Sequence, residues 1–297
     1  MNTSIKLGSL KLKNPIILAS GTFDRNIIKH IEVKNLGAIT SKTITLEPRT
    51  GNPLPNIVKT KYGFLNSNGW KNPGIEKYFS EELPFWKDAG AEVITSIGGF
   101  SDQDYIKLAK ICEKESLPAI ELNVSCVNVH KGLSYLADKK ALIRLIKKVR
   151  KAYTKTLIVK LGANVTDVVD LAKISLNNGA DVISLTNTFP GLEIDNKKMV
   201  AKLPLKIGGY SGPAIKPIAL LAVWQVYKQL KCDIIGGGGI TDFSDALDFT
   251  LCGATGISIG SGQYLDPKMA EKIVDGFRKY ITINNIKNIN KIKGKII

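Results

Sequence analysis

Apolar residues in this chain gather into short runs, and polar stretches carrying apolar residues at helical spacing separate them. The runs Pro15–Ala19, Gly37–Thr43, Ala91–Ile97 and Leu117–Leu122 have the length and continuity of buried strands. So do Leu157–Leu161, Val182–Leu185, Cys232–Ile235 and Gly256–Ile259. Helices are predicted at Ile75–Asp88 with a break at Pro84, at Ser101–Glu115 with Ser101 as cap, and at Asp138–Tyr153. Others are predicted at Asp167–Asn178, stopped by Gly179, and at Pro217–Leu230, Asp242–Leu251 and Pro267–Ile281. A polar segment holding Ile27, Ile28 and Ile31 also reads as helical, and Ser4–Leu12 reads as a hairpin turning at Gly8-Ser9. Two long loops interrupt the pattern, Thr45–Pro73 and Pro190–Pro213. Loops of that length in a compact domain are usually functional or disordered, and Asn66-Ser67-Asn68-Gly69-Trp70 argues for function in the first.

About eight strand–helix units within 297 residues fit one (β/α)8 barrel, a single domain over residues 1–297 with a short N-terminal hairpin and loops inserted at the C-terminal face. An open doubly wound sheet is the alternative. It would gather polar residues at one switch point, whereas here they recur at the end of nearly every strand.

Composition narrows the class. A hydrophobic content of 44% and a charged content of 23% describe a globular chain, and no apolar run is long enough for a membrane span. Met1–Lys13 alternates polar and apolar residues and lacks the apolar core of a signal peptide, which points to the cytoplasm. The four Cys are far apart and only two His are present, so no metal site is expected from this chain alone. The net charge of +16 allows a nucleic-acid reading, but the Lys are scattered without interleaved aromatics. No nucleic acid and no membrane are expected as partners. Anionic ligands or an acidic partner would gain from the charge.

Chemistry concentrates at the strand ends. Ile120 to Leu122 leads into Asn123, Ser125, Cys126 and Asn128. Cys126 is either a small buried hydrophobe or a proton acceptor, depending on whether its pKa is lowered. Lys42 and Lys160 end their strands and need an anion or an electron-rich ring as partner. Asn66, Asn123, Asn128 and Asn187 fall on loops at one rim and would cage a ligand with several amide edges. Gly236 to Gly239 and Gly260 to Gly262 follow the last two strands, where barrels usually hold phosphate. Neither fits a P-loop or a dinucleotide fingerprint, so a mononucleotide such as FMN is the natural ligand.

The chain resembles the dihydroorotate dehydrogenases. The resemblance rests on blocks in family order: "LKNPI..ASG" at 12–21, "TLEPR.GNP" at 45–53, "LN..G..NPG" at 65–74 and "ELN.SC.N" at 121–128. "VKL..NVTD" at 159–167, "NT..G" at 187–191, "GG.SGPAIKP" at 208–217 and "IIG.GGI" at 234–240 follow. It implies an FMN-containing barrel that oxidises dihydroorotate to orotate in pyrimidine synthesis. Cys126 then falls on the catalytic base, removing the C5 proton while hydride leaves C6. Lys42 would reach both substrate and flavin. Asn66, Asn123, Asn128, Asn187 and Thr188 fall on substrate positions, with Asn68, Gly69 and Trp70 beside them. Lys160 would lie against the flavin ring. Ala19, Ser20, Thr43, Gly212, Gly238, Gly239, Gly260 and Ser261 match flavin contacts, and Asn123 falls on one as well.

The chain departs from the family at Val127 for Pro, Ser96 for a flavin-contacting Asn, Thr186 for an aliphatic residue, Asn56 for Arg, and Asn68 and Trp70 for aliphatic residues. A Cys base without an N-terminal extension separates it from the quinone-linked class. The blocks at 45–53 and 208–217 look like the NAD-linked class, which implies a homodimer joined by a partner subunit carrying FAD and an iron–sulfur cluster in a heterotetramer. Rival readings are the fumarate-linked class, another FMN barrel acting on a pyrimidine ring (a dihydropyrimidine dehydrogenase or a tRNA dihydrouridine synthase), and a flavin-binding scaffold without catalysis.

Overall fold

The computed structural model describes residues 2–126 and 134–296. Eight strands, each followed by its crossover, pair in parallel in chain order and close on themselves. They are β1 Ile16–Leu18, β2 Ala38–Thr40, β3 Val93–Ile97, β4 Ala119–Asn123, β5 Thr156–Leu161, β6 Val182–Leu185, β7 Asp233–Gly236 and β8 Gly256–Ile259. The seam joins β8 to β1 through Ser258 opposite Ile17. These strands read as unbroken apolar runs because both faces are covered, one by the barrel interior and one by helices. All five residues of β3 and of β4 are buried.

Helices at Asp102–Lys114, Lys139–Ala152, Val168–Asn177, Lys216–Leu230, Phe243–Leu251 and Met269–Ile283 form the outer layer. Asp138, Asp167 and Asp242 cap three of them, each accepting a backbone N–H three residues on. Ser101 and Asp104 form a full capping box at a fourth. The N-terminal hairpin, Ile5–Leu7 against Leu10–Leu12, closes the barrel's lower end. Its turn bonds to groups at the start of two strands, with Ser9 N donating to Thr156 Oγ1 and Gly8 N to Asp233 Oδ2.

Three expectations are corrected. The two long loops are not structureless. Ile57–Lys59, Phe64–Asn66, Ile207–Ser211 and Phe189–Leu192 form a four-stranded antiparallel sheet beside the barrel mouth. Asn66 lies opposite Gly209 in this sheet, and a Cβ on Gly208 would come within 2.6 Å of Asn66 O, so the close approach needs glycine. The segment after β1 forms two 3₁₀ turns, Arg25–Lys29 and Val33–Asn35, rather than an α-helix. Pro84 does not break its helix, because it falls in the first turn of Leu83–Asp88, where no N–H is missed. The irregularity comes one turn earlier, as a π-helical turn at Tyr78–Glu82.

Leu122 is fully buried in β4. Leu122→Ala is expected to cost about 2–5 kcal/mol through lost transfer energy and a residual cavity. Denaturant unfolding followed by circular dichroism would show a lower midpoint at unchanged slope.

Candidate active site

The C-terminal ends of the strands and the inserted sheet enclose an open cavity of about 1230 Å³, counted to its mouth. Its floor is a run of side-chain hydrogen bonds crossing from one strand end to the next. Ser20 Oγ lies 3.4 Å from Thr43 Oγ1, and Asn123 Nδ2 donates to Thr43 Oγ1 at 2.9 Å. Asn187 Nδ2 lies 3.3 Å from Asn123 Oδ1 and donates to Ser125 Oγ at 3.0 Å, and Ser125 Oγ donates to Lys160 O. Ser20, Thr43 and Asn187 follow three different strands, Lys160 lies on a fourth, and Asn123 and Ser125 lie at and just beyond the end of β4, so closing the barrel is what assembles the floor.

Lys160 enters this floor from β5. Its ammonium is 3.9 Å from Glu121 Oε1, with side chains 12% and 4% exposed. Glu121 also accepts from Ser96 Oγ at 3.2 Å. A carboxylate in an otherwise apolar strand requires such partners. Lys42 stands on the opposite wall, where burial and the neighbouring Lys71 charge hold its ammonium below the ordinary lysine range, partly offset by Asp24 and Glu82.

Cys126 lies three residues beyond β4 on the cavity wall, 8% exposed and packed with Trp70 and Phe100. Trp70 adopts a left-handed backbone (φ 56°), unusual for a bulky residue. Asn72 Nδ2 fixes it by donating to Trp70 O, and the indole uses the space left by Gly98, where a Cβ would lie 2.9 Å from its ring.

The far end of the cavity is glycine-lined. Gly238 and Gly239 have φ of 134° and 79°, and a Cβ on Gly239 would meet Lys216 N at 2.7 Å. Their N–H groups find no acceptor among the described residues. Thr186 Oγ1, buried and without a hydrogen-bond partner among the described residues, lies 3.4 Å from where a Gly238 Cβ would sit. Unused donors on a glycine cradle suit a phosphate. With a polar floor bearing Lys160, this end of the cavity fits FMN.

Of the residues singled out by sequence, the cavity wall brings together Ala19, Ser20, Lys42, Thr43, Asn66, Asn68, Gly69, Trp70, Asn123 and Cys126. Lys160, Thr186, Asn187, Thr188, Gly238, Gly239, Gly260 and Ser261 complete that set. Ser96 is not on the wall. It lies fully buried beneath the floor, 3.1 Å from Thr43 Oγ1, and so supports Thr43 from below. Gly212 is also off the wall and stands behind the cradle, its O 3.0 Å from a Gly239 Cβ. Asn128 lies outside the described residues. Sequence reasoning missed Phe64, Lys71, Ser211 and Tyr264 on the wall, and Glu121 beneath it. The lone acid in β4 was the one available signal. Among the described residues no group of His, Cys, Asp or Glu is disposed to hold a metal, and no helix is long and apolar enough to cross a membrane.

A (β/α)8 barrel with a thiol, two lysines and a glycine cradle converging on its C-terminal rim defines a barrel enzyme. The family model described as dihydroorotate dehydrogenase matches residues 3–281. A protein of Thermoanaerobacter pseudethanolicus named "Dihydroorotate dehydrogenase B (NAD(+)), catalytic subunit" is 40% identical, covering 100% of this chain and 99% of its own. Proteins of the same name from Bacteroides fragilis and Desulforamulus reducens are 40% identical over 99% of this chain and 98% of theirs. The chain belongs to the dihydroorotate dehydrogenase family.

Removing Glu121 alone leaves the Lys160 charge buried and unbalanced. Glu121→Leu is expected to lose about 3–5 kcal/mol, and Lys160→Met added to it should recover most of that loss. Chemical unfolding of the single and double variants measures both.

Proposed function

We propose that the chain oxidises (S)-dihydroorotate to orotate in pyrimidine synthesis, with FMN as the immediate acceptor. The observation that carries this reading is one cavity holding Cys126, the Asn66/Asn123/Asn187 amides and a donor-rich glycine cradle, in a chain of this family. Bound FMN would supply the hydride acceptor for the substrate C6–H. The chain's own groups do the rest. The cradle N–H groups of Gly238 and Gly239, beside Gly260 and Ser261, would hold the phosphate, and Lys160 would supply positive charge to the flavin. Lys42 attracts the substrate carboxylate. Asn66, Asn123 and Asn187 read the flat amide edges, each amide offering a donor and an acceptor.

Cys126 Sγ takes the C5 proton. Its packing against Trp70 and Phe100 keeps water from the developing carbanion. In the proposed sequence the C5–H bond electrons become the ring double bond as the C6 hydride departs, so two electrons leave with the hydride and one proton stays on sulfur.

The relatives' name carries NAD+ and a subunit role, and on that support we extend the proposal to NAD+ as final acceptor. A partner subunit with FAD and an iron–sulfur cluster would relay the electrons, a homodimer of this chain forming the core of a heterotetramer in the cytoplasm.

Orotate production with an artificial dye as acceptor tests the reading. Cys126→Ala is expected to keep its yellow FMN and lose at least about 10²-fold in rate. Cys126→Ser should retain a remnant that grows with pH, since a hydroxyl is the weaker acid and yields its conjugate base only as pH rises. Full activity in the Ala variant removes Cys126 as base. A second prediction concerns Lys42. Its folded pKa is lowered, so its positive charge is lost on raising the pH before an ordinary lysine's would be. Orotate affinity, followed by flavin absorbance, should therefore fall as pH rises through that lowered value, and Lys42→Met should flatten the dependence.

A further inference from the structure

Behind Lys42 lies a second cavity of about 970 Å³, counted to its mouth, separated from the first by the side chains of Lys42 and Lys71, which line both. Phe23, Tyr78 and Trp86 give it apolar walls. Its neutral polar groups are already committed. Asn72 bonds Thr45 N and Gly74 N through Oδ1, and Thr45 Oγ1 and Trp70 O through Nδ2. Tyr78 OH pairs with Thr95 Oγ1, and Ser41 Oγ bonds Lys42 O and Ser96 N. Arg25 and Glu82 are paired with each other at 2.9 Å.

The capacity that remains is almost all cationic. Neither Lys42 nor Lys71 has a carboxylate within ion-pair distance or a side-chain hydrogen bond among the described residues. Arg49 spends Nε on Gly69 O at 3.2 Å and lays its guanidinium over Phe100 at 4.7 Å. Its terminal nitrogens bond nothing among the described residues. Asp24 is the one acid in the lining outside the Arg25–Glu82 pair, and one of its oxygens caps Asn26 N. Three cations against one acid, in a walled cavity, want an acceptor-rich ligand.

We infer that this cavity is a binding site for a small multivalent oxyanion, held by Lys42, Lys71 and Arg49, whose occupancy opposes substrate binding. The opposition follows from the shared wall. An anion drawing Lys42 and Lys71 toward the second cavity withdraws positive charge from the first. It also recruits Arg49, which otherwise steadies Gly69 beside the substrate. By linkage, orotate must weaken the anion by the same factor. The binding stands independently of the dihydroorotate reading, whereas the antagonism rests on it.

Calorimetric titration of the FMN-saturated chain with inorganic phosphate and, separately, malonate tests this, since FMN fills the glycine cradle. Saturable binding is expected, weakened about fivefold but not abolished by saturating orotate. Lys71 is exposed, so Lys71→Ala should fold normally and weaken the anion about tenfold. Arg49→Gln should do the same. Whichever probe binds more tightly assigns the ligand to the phosphoryl or the carboxylate class. The inference is overturned by no saturable binding, by unchanged affinity in Lys71→Ala, or by complete mutual exclusion with orotate, which would put the anion in the substrate cavity. Anion binding without any orotate binding would uphold the site and refute the dihydroorotate reading.

Discussion

The hydrogen-bonded floor from Ser20 through Thr43, Asn123 and Asn187 to Ser125 is the constraint on which the site depends. Asn123 and Ser125 come from the end of β4, and the others from the ends of three further strands. They meet because eight short parallel strands close in chain order, and closure fixes the distance from each strand end to the next. Every bond in the floor is therefore also a statement about barrel register. A slip of one residue in β4 would turn Asn123 away from the cavity and present Leu122 in its place. The Asn123 and Asn187 amides are bonded to one another, so a ligand finds them already oriented and uses their remaining capacity.

Charge is distributed by the same geometry. The acids of the central site lie low, with Glu121 buried against Lys160, while the lysines at the mouth, Lys42 and Lys71, have no carboxylate partner among the described residues. The cavity is thus balanced below and electropositive above. That would suit the anionic substrate and the phosphate-bearing cofactor of the proposed reaction. The protein's excess of basic residues acquires a local meaning here that net charge alone does not supply.

The barrel was legible in the sequence because strands covered on both faces appear as continuous apolar runs, and because Asp138, Asp167 and Asp242 mark helix starts. Its polar rim was legible for the same reason, since a polar residue ending an apolar run has few places to go. The inserted sheet was not. Its strands are short and rich in Gly and Pro, and their stability comes from pairing residues as distant as Asn66 and Gly209, which no local pattern encodes. Phe64, Ser211 and Tyr264 reach the cavity through that sheet and the turn after β8, so they were invisible with it. Ser96 shows the opposite failure. Its place where the resembled family has a flavin-contacting Asn suggested the cavity, but it lies fully buried, 3.1 Å from Thr43 Oγ1.

The most direct test of the account is anaerobic mixing of the purified chain with L-dihydroorotate while the flavin absorbance near about 450 nm is followed. A yellow protein whose band is lost in a single turnover, with one orotate formed per flavin, is the expected result. A yellow protein whose band persists, although orotate binds, would contradict it.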